Sequence, residues 1–296
     1  MAVALNSDDA NMTRIGVRAF LSMGLRRGHA AGAALLLVAA YVTSMAHAAD
    51  GVSLYAAGSL RDALTEIARA FEAAGGPAVR TKFGPSGLLK DEIAAGAPAD
   101  VFASANMEHP QALAASGKGT PVILFTRNRL CALARPGLAV TPASLADVML
   151  DANVKLGTST PRADPSGDYA WEIFRRVDAD RPGAFATLES KALQLVGGAV
   201  PTSPSSTRSP YVDFIAEGKA DLFLAYCTSA VAAQKDMPGV QIVQLPAKLA
   251  VGAAYGLTVM KTAPPAAAEF ALFVMSVEGQ RTLAKHGFTA PALPQN

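Results

Sequence analysis

Between residues 52 and 115 a strand-like run gives way to a helix-patterned segment three times in succession. The first is Leu54-Tyr55-Ala56-Ala57-Gly58-Ser59-Leu60. Its strand stops at Gly58, and Leu60, Ala63, Leu64, Ile67 and Phe71 then recur at helical spacing. Ser59 stands where a helix N-cap belongs. The second runs from Val79 to Phe83, alternating Val79, Thr81 and Phe83 against Arg80 and Lys82. It breaks at Gly84-Pro85-Ser86-Gly87 before a helix from Leu88. The third is Val101 to Ala105, followed by a helix containing Pro110 to Ala115. Strands alternating with helices in this way predict a mostly parallel sheet covered by helices. Ligands on such sheets sit beyond the carboxyl ends of the strands, where Ser59 and Ser86 both fall. A helix starting at a strand end offers unpaired N–H groups and a positive dipole end, which suit a small anion.

The beginning of the chain reads differently. Arg14, Arg18, Arg26 and Arg27 precede the apolar run Ala30 to Val42, and Ala46-His47-Ala48 has the small-x-small form of a cleavage site. Residues 1–48 are expected to be a cleaved secretory signal peptide, because the apolar run is short for a spanning helix. Met1 and Met23 both stay open as the start. Arg26-Arg27 lacks a wider twin-arginine context, which favours the general secretory route. An exported, periplasmic protein follows. The leader holds four Arg and two Asp of the chain's 26 basic and 24 acidic residues, so 22 of each remain. A neutral chain of this kind carries no basic field for nucleic acid or an anionic membrane. An exported compartment permits a disulfide between Cys131 and Cys227, and the apolar runs around them suit two buried thiols equally.

Residues 121–134 and 251–260 read as two extended segments that cross between lobes. Between them lie a short helix from Ser144, a strand from Val154, and the loop Thr158 to Tyr169 leading into a helix with Trp171, Ile173 and Phe174. Residues 183–196 read as one helix. The Gly-, Pro- and Ser-rich segment 197–210, which contains Arg208, reads as a mobile loop. Strands are expected at Asp221 to Tyr226 and Val240 to Leu245, and helices after Pro264-Pro265 and over Gln280 to Lys285. Gly-Pro-Ser-Gly-Leu is not a serine-hydrolase elbow, since Leu88 stands where that motif needs a second Gly. Only His109 and His286 remain beyond the leader, which argues against a nucleophilic enzyme.

Several motifs in this order carry a resemblance: Ala56-Ala57-Gly58-Ser59-Leu60, Gly84-Pro85-Ser86-Gly87, Ala95 to Phe102, Asp164-Pro165-Ser166-Gly167-Asp168-Tyr169, the strand ending in Tyr226, and His286-Gly287-Phe288. Over nearly the whole region beyond the leader the chain resembles the periplasmic molybdate-binding proteins of ABC importers. The resemblance implies a two-lobe α/β periplasmic binding protein fold, each lobe a mostly parallel sheet flanked by helices, with the ligand in the cleft between lobes. It places the first part of lobe 1 at 49–126, lobe 2 at 127–250, and a return strand with the C-terminal helices of lobe 1 at 251–296. It implies oxyanion ligands at Ser59 and Ser86, a backbone N–H at Ser166, the Tyr226 hydroxyl, and a loop N–H at or near Arg208. The oxyanion is molybdate, with tungstate, and the metal atom has no direct protein ligand. No further cofactor is implied. The partner is an inner-membrane ABC permease, and the protein is a monomer. Arg208 departs from the pattern: either its guanidinium or the loop alters the ligand, or its backbone serves as usual and its side chain faces solvent. The competing expectations are the same fold holding sulfate or a small organic anion, and an exported enzyme, for which no clustered acid, base or metal site is visible.

Overall fold

The computed structural model describes residues 51–199 and 208–291. The expected signal peptide, residues 200–207 of the 197–210 loop and the last five residues lie outside these. Strand β1 (Val52–Ala57) buries Val52, Leu54 and Ala56 completely. A 3-10 turn, Gly58–Leu60, leads into α1 (Arg61–Ala73), whose Ala63, Leu64, Ile67, Ala68 and Phe71 face the core. Ser59 therefore does not cap the helix. The turn delays the helix start to Arg61, no side chain caps either segment, and the Ser59 hydroxyl bonds elsewhere. β2 (Val79–Gly84) follows, then α2 (Ser86–Ala94), β3 (Val101–Ser104) and α3 (Glu108–Ala115). β1 pairs in parallel with β2 on one side and β3 on the other. β2 lies at the sheet edge, so its alternating pattern buries little: Val79 and Phe83 are half-buried and Thr81 is exposed.

β4 (Ile123–Ala134) is the long crossing strand. Beyond it come α4 (Leu145–Leu150), β5 (Leu156–Ser159), α5 (Pro165–Asp180), α6 (Ala184–Lys191) and β6 (Leu193–Val196). The single helix expected over 183–196 is thus a helix and a strand, because residues 193–196 pair with β5. α7 (Pro210–Ala216), β7 (Leu222–Tyr226), α8 (Cys227–Asp236) and β8 (Gln241–Gln244) complete this half. β9 (Gly252–Val259) returns, and α9 (Pro265–Met275) and α10 (Val277–Lys285) close the first lobe.

The strands form one continuous order, β2-β1-β3-β9-β4-β7-β5-β6, with β8 beside β4. Each lobe has a parallel trio, β2-β1-β3 or β7-β5-β6. The antiparallel strands β4 and β9 join the two trios. The first half of β4 pairs with β9, and its second half pairs with β7 and β8. Alternation along the strands sends side chains to two helical layers. Leu222 and Leu224 join the α4–α6 core, while Phe223 packs with Val212, Ile215 and Ala230 of α7 and α8. In the first lobe Val101 and Ala103 face α1 and α9, while Phe102 packs with Leu89, Ile93 and Leu113. This is the mixed α/β, two-lobe arrangement that the sequence predicts. Cys131 in β4 and Cys227 at the start of α8 form a disulfide, with their Cα atoms 4.9 Å apart. No helix among the described residues is long and apolar enough to cross a membrane.

Candidate functional site

The carboxyl ends of both parallel trios carry the residues singled out from the sequence. Ser59 follows β1 and is partly buried. Its Oγ lies 3.0 Å from the Tyr255 hydroxyl on β9. Ser86 is the first residue of α2, after Pro85 in extended conformation, and is 1% exposed. Its Oγ accepts a hydrogen bond from the Ala105 N–H at 3.1 Å, just past β3. A hydroxyl that accepts in this way keeps its own proton to donate. Ser86 also sits at a helix start, where N–H groups lack intrahelical partners.

In the second lobe Ser166 is the second residue of α5, behind Pro165 and the N-cap Asp164. The Asp164 carboxylate accepts from the Ser166 N–H at 3.2 Å and from the Ser159 hydroxyl at 2.6 Å. The backbone N–H that the resemblance offers to an anion is thus already engaged. The Ser166 hydroxyl, in contrast, is buried with no hydrogen-bond partner among the described residues. Tyr226 ends β7 and is 3% exposed; among the described residues its buried hydroxyl meets no partner in hydrogen-bonding geometry, with the Tyr255 hydroxyl as a looser neighbour. Arg208 is half-exposed and stands 4.0 Å from the Asp213 carboxylate of α7.

Tyrosine rings tie these positions together. Tyr226 meets Tyr255 and Tyr169 edge-on, with centroids 5.7 and 6.4 Å apart. Tyr169, at the start of α5, donates its hydroxyl to the Ala105 carbonyl at 3.1 Å. Ala105 is the residue whose N–H bonds Ser86. The contacts therefore run Ser59–Tyr255–Tyr226–Tyr169–Ala105–Ser86, from one first-lobe turn through the second lobe to the other. They join Ser59, Ser86 and Tyr226; Ser166 lies three residues from Tyr169 on the same helix, and Arg208 is not part of the chain. The lobes also touch directly: the Gly87 N–H donates to the Ala163 carbonyl at 2.9 Å. A Cβ at Gly87 would lie 2.2 Å from the Arg162 carbonyl oxygen, so only glycine allows this approach.

The electrostatics follow from burial. It raises the phenol pKa of Tyr169, Tyr226 and Tyr255, so all three remain neutral donors at neutral pH. It also raises the Asp164 carboxyl, against the bonds from Ser159 and Ser166 that favour the charge. Such an arrangement of neutral hydroxyls can hold an acceptor-rich ligand without an ion pair. Among the described residues no group of three His, Cys, Asp or Glu is placed to hold a metal ion.

The site residues not expected from sequence are Tyr255, Tyr169 and Asn128, whose Nδ2 reaches both Tyr255 and Thr228. Tyr169 stood inside a quoted motif without a role. Tyr255 left a weak signal, a single aromatic in an otherwise small-residue strand, Gly252-Ala253-Ala254-Tyr255-Gly256.

Residues 52–289 match the sequence profile of the bacterial extracellular solute-binding proteins. The chain belongs to this family. It is 28% identical over 249 residues to the molybdate-binding protein ModA of Mycobacterium tuberculosis, covering 82% of this chain and 86% of that one. Its fold is similar to the periplasmic molybdate-binding protein of Azotobacter vinelandii, with a TM-score of 0.66 at 20% identity over 82% of this chain and all of the other. It is equally similar to the sulfate-binding protein SubI of M. tuberculosis, with a TM-score of 0.67 at 22% identity over 81% and 87% of the two chains. At these identities the two structures speak for the fold, and they do not separate one oxyanion from another.

Proposed function

We propose that this solute-binding protein captures molybdate, and tungstate with it, in the periplasm after removal of its leader, and delivers it as a monomer to an ABC permease of the inner membrane. The observation that carries the reading is that, among the described residues, the buried hydroxyls of Ser166 and Tyr226 meet no partner in hydrogen-bonding geometry. A buried polar group without a partner is costly, and its persistence asks for a ligand that supplies the missing bond. Ser86 adds a hydroxyl whose proton is free to be donated, and Ser59 stands at the matching turn of β1. A tetrahedral dianion accepts hydrogen bonds and offers none, which suits a set of donors. In this reading Ser59, Ser86, Ser166 and Tyr226 bind oxygens through hydroxyls, with Ser166 serving by its side chain. The Asp213 pair at Arg208 supports a role for that residue's main chain rather than its guanidinium. The lobes close on the ligand about β4 and β9, the shared strands.

Sulfate, or a small organic anion, is the second reading, and the fold-level likeness to a sulfate-binding protein favours keeping it in the test. Size separates the oxyanions: a cleft set for a larger tetrahedron leaves donors unpaired around a smaller one.

Tyr226→Phe tests the site. It removes a buried hydroxyl that meets no described residue in hydrogen-bonding geometry, so the thermal midpoint should hold or rise slightly. The same change should weaken molybdate binding by about 1–3 kcal/mol, read by calorimetry. Unchanged affinity would remove Tyr226 from the site.

A further inference from the structure

We infer that Tyr255 and Asn128, which do not themselves touch the ligand, orient the Ser59 hydroxyl so that its proton is offered outward to an acceptor-only anion; this rests on the assignment of Ser59 to the ligand site. The argument is a count of protons. Asn128 Oδ1 accepts from the Arg129 N–H at 2.9 Å, which fixes which end of the amide is oxygen. Nδ2 then donates to Thr228 Oγ1 at 2.9 Å and to the Tyr255 oxygen at 3.3 Å. An amide nitrogen has no acceptor capacity, so Tyr255 cannot return its proton to Asn128. Nor does Tyr226 take it: among the described residues its hydroxyl meets no partner in hydrogen-bonding geometry, and its contact with the Tyr255 hydroxyl stays outside that geometry.

Ser59 and Tyr255 carry two hydroxyl protons, and one of them closes the 3.0 Å bond between the pair. The other needs an acceptor. Tyr255 is fully buried, its ring held edge-on by Phe125, Tyr226 and Phe288. Ser59 is partly exposed at the end of β1. The outward proton therefore belongs to Ser59, and Tyr255 donates into Ser59 Oγ. Asn128 lies on β4, Tyr255 on β9 and Thr228 on α8, so the polarity is imposed from both crossing strands and anchored in the second lobe. The ligand it favours has lone pairs and no proton to offer, as a fully ionised oxyanion has. A ligand that presents only donors meets an opposing proton.

A double-mutant cycle separates this positioning role from a structural one. The purified protein is titrated calorimetrically with molybdate as wild type, Ser59→Ala, Tyr255→Phe and the double variant. Phenylalanine keeps the ring packing. Tyr255→Phe is expected to weaken binding about five- to twenty-fold when Ser59 is present, and less than about twofold when it is alanine. An equal loss in both backgrounds overturns the inference, because Tyr255 would then act on the ligand or the fold independently of Ser59. No loss in either background overturns it as well. Asn128→Ala goes through the same cycle with the same expected pattern, and it decides the matter if Tyr255→Phe loses its native circular dichroism. A wild type that gives no heat with molybdate overturns the molybdate reading and this inference with it. Tight wild-type binding with additive losses leaves that reading standing and removes only the relay.

Discussion

At the residue scale, the proposed site is a set of hydroxyls with protons left to donate. Ser86 accepts from a backbone N–H and keeps its own proton, while the Ser166 and Tyr226 hydroxyls meet no described residue in hydrogen-bonding geometry. The serine turns were legible because a strand stopping at small residues before a helix is a local pattern. The role of Asp164 was also written locally: an Asp before Pro165-Ser166 is an N-cap signature, and its side chain accepts from the Ser166 N–H. Tyr255 was not legible as a site residue, because its partner Ser59 is 196 positions away. His109 is the residue whose charge state matters at this scale. Its Nε2 is buried without a partner among the described residues, and burial, reinforced by the Lys90 ammonium, holds its pKa below the ordinary 6.5. Asp168, Glu108 and Asp91 pull the other way and are outweighed. The folded protein thus binds fewer protons than the unfolded chain as pH drops below 6.5, and the stability present above that value is lost through the folded pKa. Thermal midpoints measured from pH 7.5 to 5 should show an acid-side fall that is smaller in His109→Gln. Identical slopes would place the effect on other groups.

At the element scale, the crossing strands explain most of the architecture. β4 and β9 were visible as extended apolar runs, and their pairing lets each lobe keep its own parallel trio. Two departures from the local sequence pattern have a common cause. Val79 to Phe83 alternates as a half-buried strand should, yet as an edge strand with a single neighbour it stays largely exposed. Residues 193–196 continued a helical pattern, yet pairing with β5 overrode it. Strand neighbours are a non-local fact that a local pattern does not carry. The Cys131–Cys227 bridge is of the same kind: the compartment allowed it, and the fold brought β4 to the start of α8. It closes a sequence separation of 96 residues directly beside Tyr226. In the chain-entropy account such a loop contributes about 4–5 kcal/mol. Replacing both cysteines by serine should therefore lower the unfolding free energy by about 4–5 kcal/mol, read as a lower midpoint in urea titrations. A reductant should have no further effect on that variant. An unshifted midpoint would mean that the bridge constrains neither state.

At the scale of the whole molecule, the two lobes meet where the site is. The Gly87 N–H on the Ala163 carbonyl and the Tyr169 hydroxyl on the Ala105 carbonyl both cross from one lobe to the other. Family membership establishes a solute-binding protein, and the buried hydroxyls support the proposal of a solute rich in acceptors. The central claim is that this solute is a molybdate-like oxyanion held by neutral donors. Calorimetric titration of the purified protein with molybdate, tungstate, sulfate and phosphate tests it most directly. The account predicts tight binding of the first two and no heat from the others. Tight binding of sulfate with silence from molybdate, or silence from all four, would contradict it.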